Sequence, residues 1–307
     1  MPVSEVYRRQ VALLVKAIPF VATETCFALK GGTAINLFVR GMPRLSVDID
    51  LTYLPVAGRL ASLKEIDLAM ERIGEKIKRG MPGARVSPVK LSGENCVTKQ
   101  IVEAGGVRIK IEVTPVLRGC VFEPAMKTVS PRVEDRFGFA EIQVVSFADL
   151  YAGKIAAALD RQHPRDLFDV KGLLENEGIT RQLRKAFLVY LVSHNRPMAE
   201  LLAPARLDIA DEFTRGFEGM TDKAVTLEVL LRVRETLIAE VVGGMPADHR
   251  RFLLSFKRGE PQWELLNLPG VEELPAVKWR LRNLEKLDKG KRRVLLERLG
   301  AVLGLAG

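Results

Sequence analysis

The stretch LKGGTAINLFVRGMPRLSVDIDL, Leu29 to Leu51, constrains the fold more than any other part of the chain. CFALK reads as a short strand, Gly31-Gly32 as a turn, and TAINLFV as a short helix closed by Gly41 and Pro43. LSVDIDLTYL then alternates with period 2, sending Val47, Ile49 and Leu51 to one face and Asp48 and Asp50 to the other. Carboxylates so placed repel at neutral pH unless a cation lies between them. They suit Mg²⁺ or Mn²⁺, which prefer carboxylates plus substrate phosphates to a closed protein cage. By itself such a pair is more often the solvated face of an amphipathic strand. The glycine pair shifts the reading, because a strand, a glycine turn and a helix start let backbone N–H groups approach a polyphosphate closely.

The rest of the front half is also α/β. Glu5 to Phe20 has helical spacing, and a helix is expected from Ser62, as its cap, to Arg79. Strands are expected at Val86–Leu91, Cys96–Glu103 and Val107–Pro115, with Gly105-Gly106 as a hairpin turn, and AEIQVVS is a further candidate. Gly119 to Phe139 reads as irregular. From Ser146 the pattern turns helical: Ser146 and Asp149 resemble a capping box, and Pro164 sits where a first helical turn would start. With 307 residues, two domains are expected, an α/β domain over 1–145 and a helical one over 146–307.

Composition narrows the class. Apolar residues make up 47% and charged residues 28%, which excludes a disordered chain. No apolar run reaches the roughly 18–20 residues of a membrane span. VALLVKAIPFVA resembles a secretory signal, but Lys16 interrupts it and Glu5 precedes it, so a cytoplasmic protein without a membrane partner is expected. Cys26, Cys96 and Cys120 are odd in number and scattered, which indicates neither a disulfide framework nor a zinc site. The net charge of +9 suits a polyanionic partner, and its placement is informative: Lys278 to Arg298 holds nine basic residues against three acidic, supplying +6 of the total.

Further candidates follow from face and spacing. In VRIKIEV, Arg108, Lys110 and Glu112 share one face, so Glu112 can line the same sheet surface as Asp48 and Asp50 and complete a metal site. Its alternative is an ion pair with Lys110 or Arg108. In KIAAALDRQHPRDLFD, Lys154 can reach triphosphate oxygens while Asp166 orients it or the base; an inter-helix salt-bridge network of Arg161, Arg165, Asp166 and Asp169 fits the spacing equally well. His163 is expected at a helix start. For Trp263 and Trp279 a place in the core is expected over base stacking.

Together these motifs resemble nucleotidyltransferases of the DNA polymerase β-type fold, and more narrowly the AbiEii/AbiGii toxins of bacterial toxin–antitoxin and abortive-infection systems. LKGGTAINLFVRGMPRLSVDIDL is similar to the family's first motif, KIAAALDRQHPRDLFDV to its later Lys…Arg-Asp-x-x-Asp motif, and FLLSFKRGEPQWELLNLPGVEELPAVKWRLRNLEKL to the ends of members of this length. The resemblance implies an α+β fold, a mixed sheet with flanking helices followed by a mostly helical C-terminal domain. It also implies an NTP-using, metal-dependent enzyme. Asp48 and Asp50 match the metal-binding carboxylates, Lys154 and Asp166 the later catalytic motif, and Gly31, Gly32 and Thr33 the triphosphate seat. The implied acceptor is an RNA 3′ end, as in tRNA, and the implied partner a cognate antitoxin. Where many relatives of this fold carry Gly-Ser, this chain has Gly31-Gly32, so the serine's phosphate contact falls to Thr33 or to backbone amides, or is absent. Two rival readings stay open: the same chemistry on a protein side chain or small molecule, and a non-catalytic RNA-binding protein on the same fold.

Overall fold

The structure, a computed structural model, describes residues 5–305. Contacts divide the chain into two compact units, Met1–Ser146 with Glu218–Ala224, and Phe147–Phe217 with Val225–Gly307.

The first unit is built on a seven-stranded sheet in the order β3-β4-β5-β2-β1-β7-β6. Its elements are α1 (Glu5–Ala22), β1 (Phe27–Lys30), α2 (Gly31–Thr33, running on through Ala34–Val39), β2 (Asp48–Tyr53), α3 (Arg59–Gly80), β3 (Arg85–Lys90), β4 (Val97–Ala104), β5 (Val107–Thr114), β6 (Ala125–Thr128), α4 (Pro131–Phe137) and β7 (Glu141–Val144). The sheet is mixed: β2 runs parallel to β5 and β1 parallel to β7, while the other pairs are antiparallel.

The two faces differ as the period-2 pattern requires. Ile49, Leu51, Ile111 and Val113 are almost wholly buried, and α1 and α3 pack on the sheet against β4, β5 and β7. Burying each such side chain is worth about 1.5–3 kcal/mol, so a one-residue register slip would expose the whole row. Asp48, Asp50, Lys110 and Glu112 alternate with these residues and stay partly exposed.

Two expectations need correction. α3 begins at Arg59 with Gly58 at its N-cap, and Ser62 is buried inside the helix, its hydroxyl 3.4 Å from the Ala57 carbonyl. Arg59, Leu60 and Ala61 are good helix formers, and Gly58 is an acceptable cap, so the helix extends one turn earlier. Gly119 to Phe139 is not wholly irregular, because β6 and α4 lie within it. β6 is an edge strand with all four residues exposed, so no alternation marked it.

The second unit is helical: α5 (Phe147–Arg161), α6 (Pro164–Asn176), α7 (Arg181–Ser193), α8 (Met198–Leu202), α9 (Ala210–Gly216), α10 (Leu227–Gly243), α11 (Ala247–Arg258), α12 (Pro275–Glu285) and α13 (Lys289–Val302). α5 packs against α6 and α7, α10 against α6, and α11 against α13. Pro164 opens α6 and His163 caps it, accepting from the Arg165 amide at 3.1 Å. Among the described residues no helix is long and apolar enough to cross a membrane.

Candidate functional site

The glycine pair is the start of a helix rather than a separate turn, since α2 begins at Gly31. Each glycine is required for its own reason. Gly31 has φ +74°, and a Cβ there would stand 2.7 Å from Asp50 Oδ2. At Gly32 a Cβ would stand 2.6 Å from Nη2 of the buried Arg44 and 3.0 Å from Ser46 Oγ. A side chain at Gly31 would meet the Asp50 carboxylate, and one at Gly32 would meet the Arg44 guanidinium and the Ser46 hydroxyl. Beyond Thr33 the helix widens, with the Arg40 amide bonding back to the Ile35 carbonyl at 2.8 Å. Such five-residue turns are rare and concentrate at functional sites.

Thr33 ties this helix to β2. Its hydroxyl is fully buried, donates to the Asp48 carbonyl and lies 3.0 Å from Ser46 Oγ. Such a hydroxyl positions Asp48; it does not reach outward toward a phosphate.

The register brings the three acids onto one face. Asp50 stands beside Glu112 across the β2–β5 ladder and beside Lys30 across β1–β2, while Asp48 stands beside Lys110. Three lysines share this face. Lys110 Nζ lies 3.0 Å from Glu112 Oε2 and 3.9 Å from Asp48 Oδ2, and Lys99 Nζ lies 3.5 Å from Glu112 Oε1. Lys30 donates to Thr114 Oγ1 at 3.1 Å, and burial pushes its pKa down against the raising pull of Asp50 and Glu112. In this state the cation between Asp48 and Glu112 is an ammonium. Among the described residues no three His, Cys, Asp or Glu side chains are gathered to hold a metal ion.

The donor set nonetheless fits one hard cation with a phosphate-bearing ligand. Asp48 and Asp50 present carboxylates from one partly exposed strand face, and Mg²⁺ binds through one or two carboxylates, keeping its other positions for water and phosphate oxygens. The Glu112 carboxylate is paired with Lys110 and Lys99.

In the second unit Lys154 and Asp166 do meet. Lys154 Nζ lies 2.6 Å from Asp166 Oδ1 and 3.0 Å from Asp169 Oδ2, and Arg161 Nε reaches Asp166 Oδ2 at 2.6 Å. Lys154, Asp166 and Asp169 are buried. Burial alone would raise the Asp166 pKa; the charges of Lys154 and Arg161 overcome it and hold the carboxyl well below the ordinary carboxylate range.

Sequence reasoning missed Lys30 and Lys99 as neighbours of the acids, and Arg44 as a neighbour of Gly32. The Lys30 signal was in plain view, a lysine closing an apolar strand directly before the glycine pair. The Lys99 and Arg44 contacts depend on strand register and loop path, which no local pattern announces.

A mixed sheet carrying an Asp-x-Asp strand against a glycine-started helix, followed by a helical unit, defines a nucleotidyltransferase-type protein. The chain superposes on MenT4, the nucleotidyltransferase toxin Rv2826c of Mycobacterium tuberculosis H37Rv, with a TM-score of 0.60 at 16% identity, covering 91% of this chain and 93% of that one. At that identity the likeness speaks for the fold. No curated protein matches the sequence. The family model described as "Nucleotidyl transferase AbiEii toxin, Type IV TA system" matches residues 12–283. The chain belongs to that family, the nucleotidyltransferase toxins of type IV toxin–antitoxin systems.

Proposed function

We propose that this chain transfers a nucleotidyl group from an NTP, with Mg²⁺ or Mn²⁺, to the 3′ hydroxyl of an RNA, with tRNA as the acceptor, and that it thereby blocks translation in the cytoplasm until a cognate antitoxin opposes it. The observation that carries this reading is the Asp48/Asp50 pair set against Gly31 on a partly exposed sheet face. Asp48 and Asp50 would hold the metal, which when bound supplies charge neutralisation on the phosphates. Amides at Gly31 and Gly32 would seat the triphosphate, with Thr33 fixing the strand beneath them. The acceptor oxygen attacks the α-phosphorus, the bond to pyrophosphate breaks, and Glu112, released by Lys110, takes the hydroxyl proton.

The test is label transfer from each of the four α-labelled NTPs to total tRNA, with the Asp48→Ala variant alongside. Asp48-dependent label on tRNA is the expected result. Label on protein, or on a small molecule with tRNA unlabelled, would replace the acceptor and keep the chemistry. Equal labelling by the Asp48→Ala variant would sink the metal assignment.

A further inference from the structure

The two tryptophans of the second unit have opposite fates. Trp263 packs on Phe252 and Phe256, with ring centres 5.4 and 6.1 Å away. Trp279, expected in the core, is 51% exposed. The cause is helical phase. α12 turns Ala276, Val277 and Leu284 inward, which leaves positions 279, 282 and 286 on the outer side, at i, i+3 and i+7.

That outer stripe reads Trp279, Arg282, Lys286. The two cations are exposed, and among the described residues neither makes an ion pair, although Lys278 pairs with Glu273. Glu285 is the one acid in α12. The Arg280 guanidinium lies 5.9 Å from the Trp279 ring centre and donates to the Asn195 carbonyl at 3.4 Å. Lys257, almost wholly buried, has its ammonium pushed down by burial and by the Arg280 charge. Lys289 and Lys291 add two more exposed cations at the start of α13, also without an ion pair among the described residues.

We propose that the outer face of α12, Trp279 with Arg282 and Lys286, is a docking surface for single-stranded RNA, with a base on the indole and the flanking phosphates on the two cations. An exposed aromatic among unpaired cations is the composition that binds single strands without reading sequence, stacking for the bases and charge for the backbone. A phosphate chain supplies the negative charge that this face lacks. The inference rests on RNA as the acceptor, but binding and transfer are measured separately.

The experiment is fluorescence anisotropy of a fluorescein-labelled single-stranded RNA oligonucleotide against the full chain, in EDTA and without NTP, over a series of salt concentrations. Trp279→Ala should weaken binding about tenfold, with Trp279→Phe recovering most of it. Arg282→Gln with Lys286→Gln should lower the log–log salt slope by about 1.4. Asp48→Ala should bind as the parent does. If Trp279→Ala, melting normally, binds as tightly as the parent, or if the parent prefers duplex RNA or binds none, the surface is not what we propose. RNA binding that depends on Trp279, with no label transferred to any RNA, would keep the surface and overturn the acceptor. Transfer to tRNA at unchanged KM in Trp279→Ala would keep the acceptor and overturn the surface.

Discussion

The sheet face of the first unit and the α5–α6 pair of the second each carry a cluster of lysines and carboxylates, and the two clusters live under opposite solvent conditions. On the sheet face, Asp48, Lys110 and Glu112 are each about one-third exposed and their ion pairs are loose, at 3.0 to 3.9 Å. In the helical unit, Lys154 and Asp166 are almost wholly buried and pair at 2.6 Å. Water screens the first set, so its pairs hold weakly and can be exchanged for a ligand. The second set has no such exchange, and breaking it leaves a buried charge without its partner. The same residue types therefore make a site that can open in one unit and a rigid internal clamp in the other.

The largest expected effect is on the clamp. Asp166→Asn should cost about 3–5 kcal/mol of stability, because Lys154 loses a buried partner, as urea unfolding followed by circular dichroism would report. The effect should depend on pH. The folded pKa of Asp166 lies below its ordinary value of 3.8, so its contribution is fully present above that value and fades as pH falls through the folded one. A parent-to-variant gap that grew on acidification would contradict the buried pairing.

Next comes the open cluster, where the effect should fall on chemistry. Asp50→Asn should lower transfer by about a hundred- to a thousandfold, the equivalent of several kcal/mol of lost metal-borne stabilisation, with little change in unfolding. Loss of Mn²⁺ binding by electron paramagnetic resonance gives a readout independent of activity. Equal destabilisation by Asp50→Asn and Asp166→Asn would erase the distinction between the clusters.

Gly31→Ala should be intermediate. A left-handed residue with a side chain costs about 1–2 kcal/mol, and the new methyl meets Asp50 Oδ2, so thermal melting and Mn²⁺ affinity should fall together. The smallest stability change is expected for Lys110→Met, within about 1 kcal/mol. Because that variant removes the ammonium beside Asp48 and one of the two beside Glu112, it should bind Mn²⁺ more tightly than the parent. Weaker binding would show that Lys110 supports the metal site rather than competing for it.

Much of this was legible before any coordinates. Period 2 in LSVDIDL and VRIKIEV announced which residues face α1 and α3, since burying one row of a strand exposes the other. His163-Pro164 marked the start of α6 because proline fits a first turn. What stayed hidden was whatever depends on partners distant in sequence. Glu218–Ala224 joins the first unit, where the Leu45 amide bonds the Met220 carbonyl at 2.8 Å and Arg44 pairs with Thr221, and nothing local to that segment says so. Trp279 was misplaced because a short helix flanked by breaks has an uncertain phase, and a shift of one position turns a core residue into a surface one.

The sequence by itself determined the α/β and helical halves, the strand faces and the acids that share one of them, because periodicity and glycine chemistry act within a few residues. Only the tertiary structure decided that Lys110 stands between Asp48 and Glu112, that Thr33 is buried beneath the strand, and that Lys154 is clamped by Asp166 and Asp169. Ion pairs and burial are set by strand register and helix packing, which join residues that the chain keeps far apart.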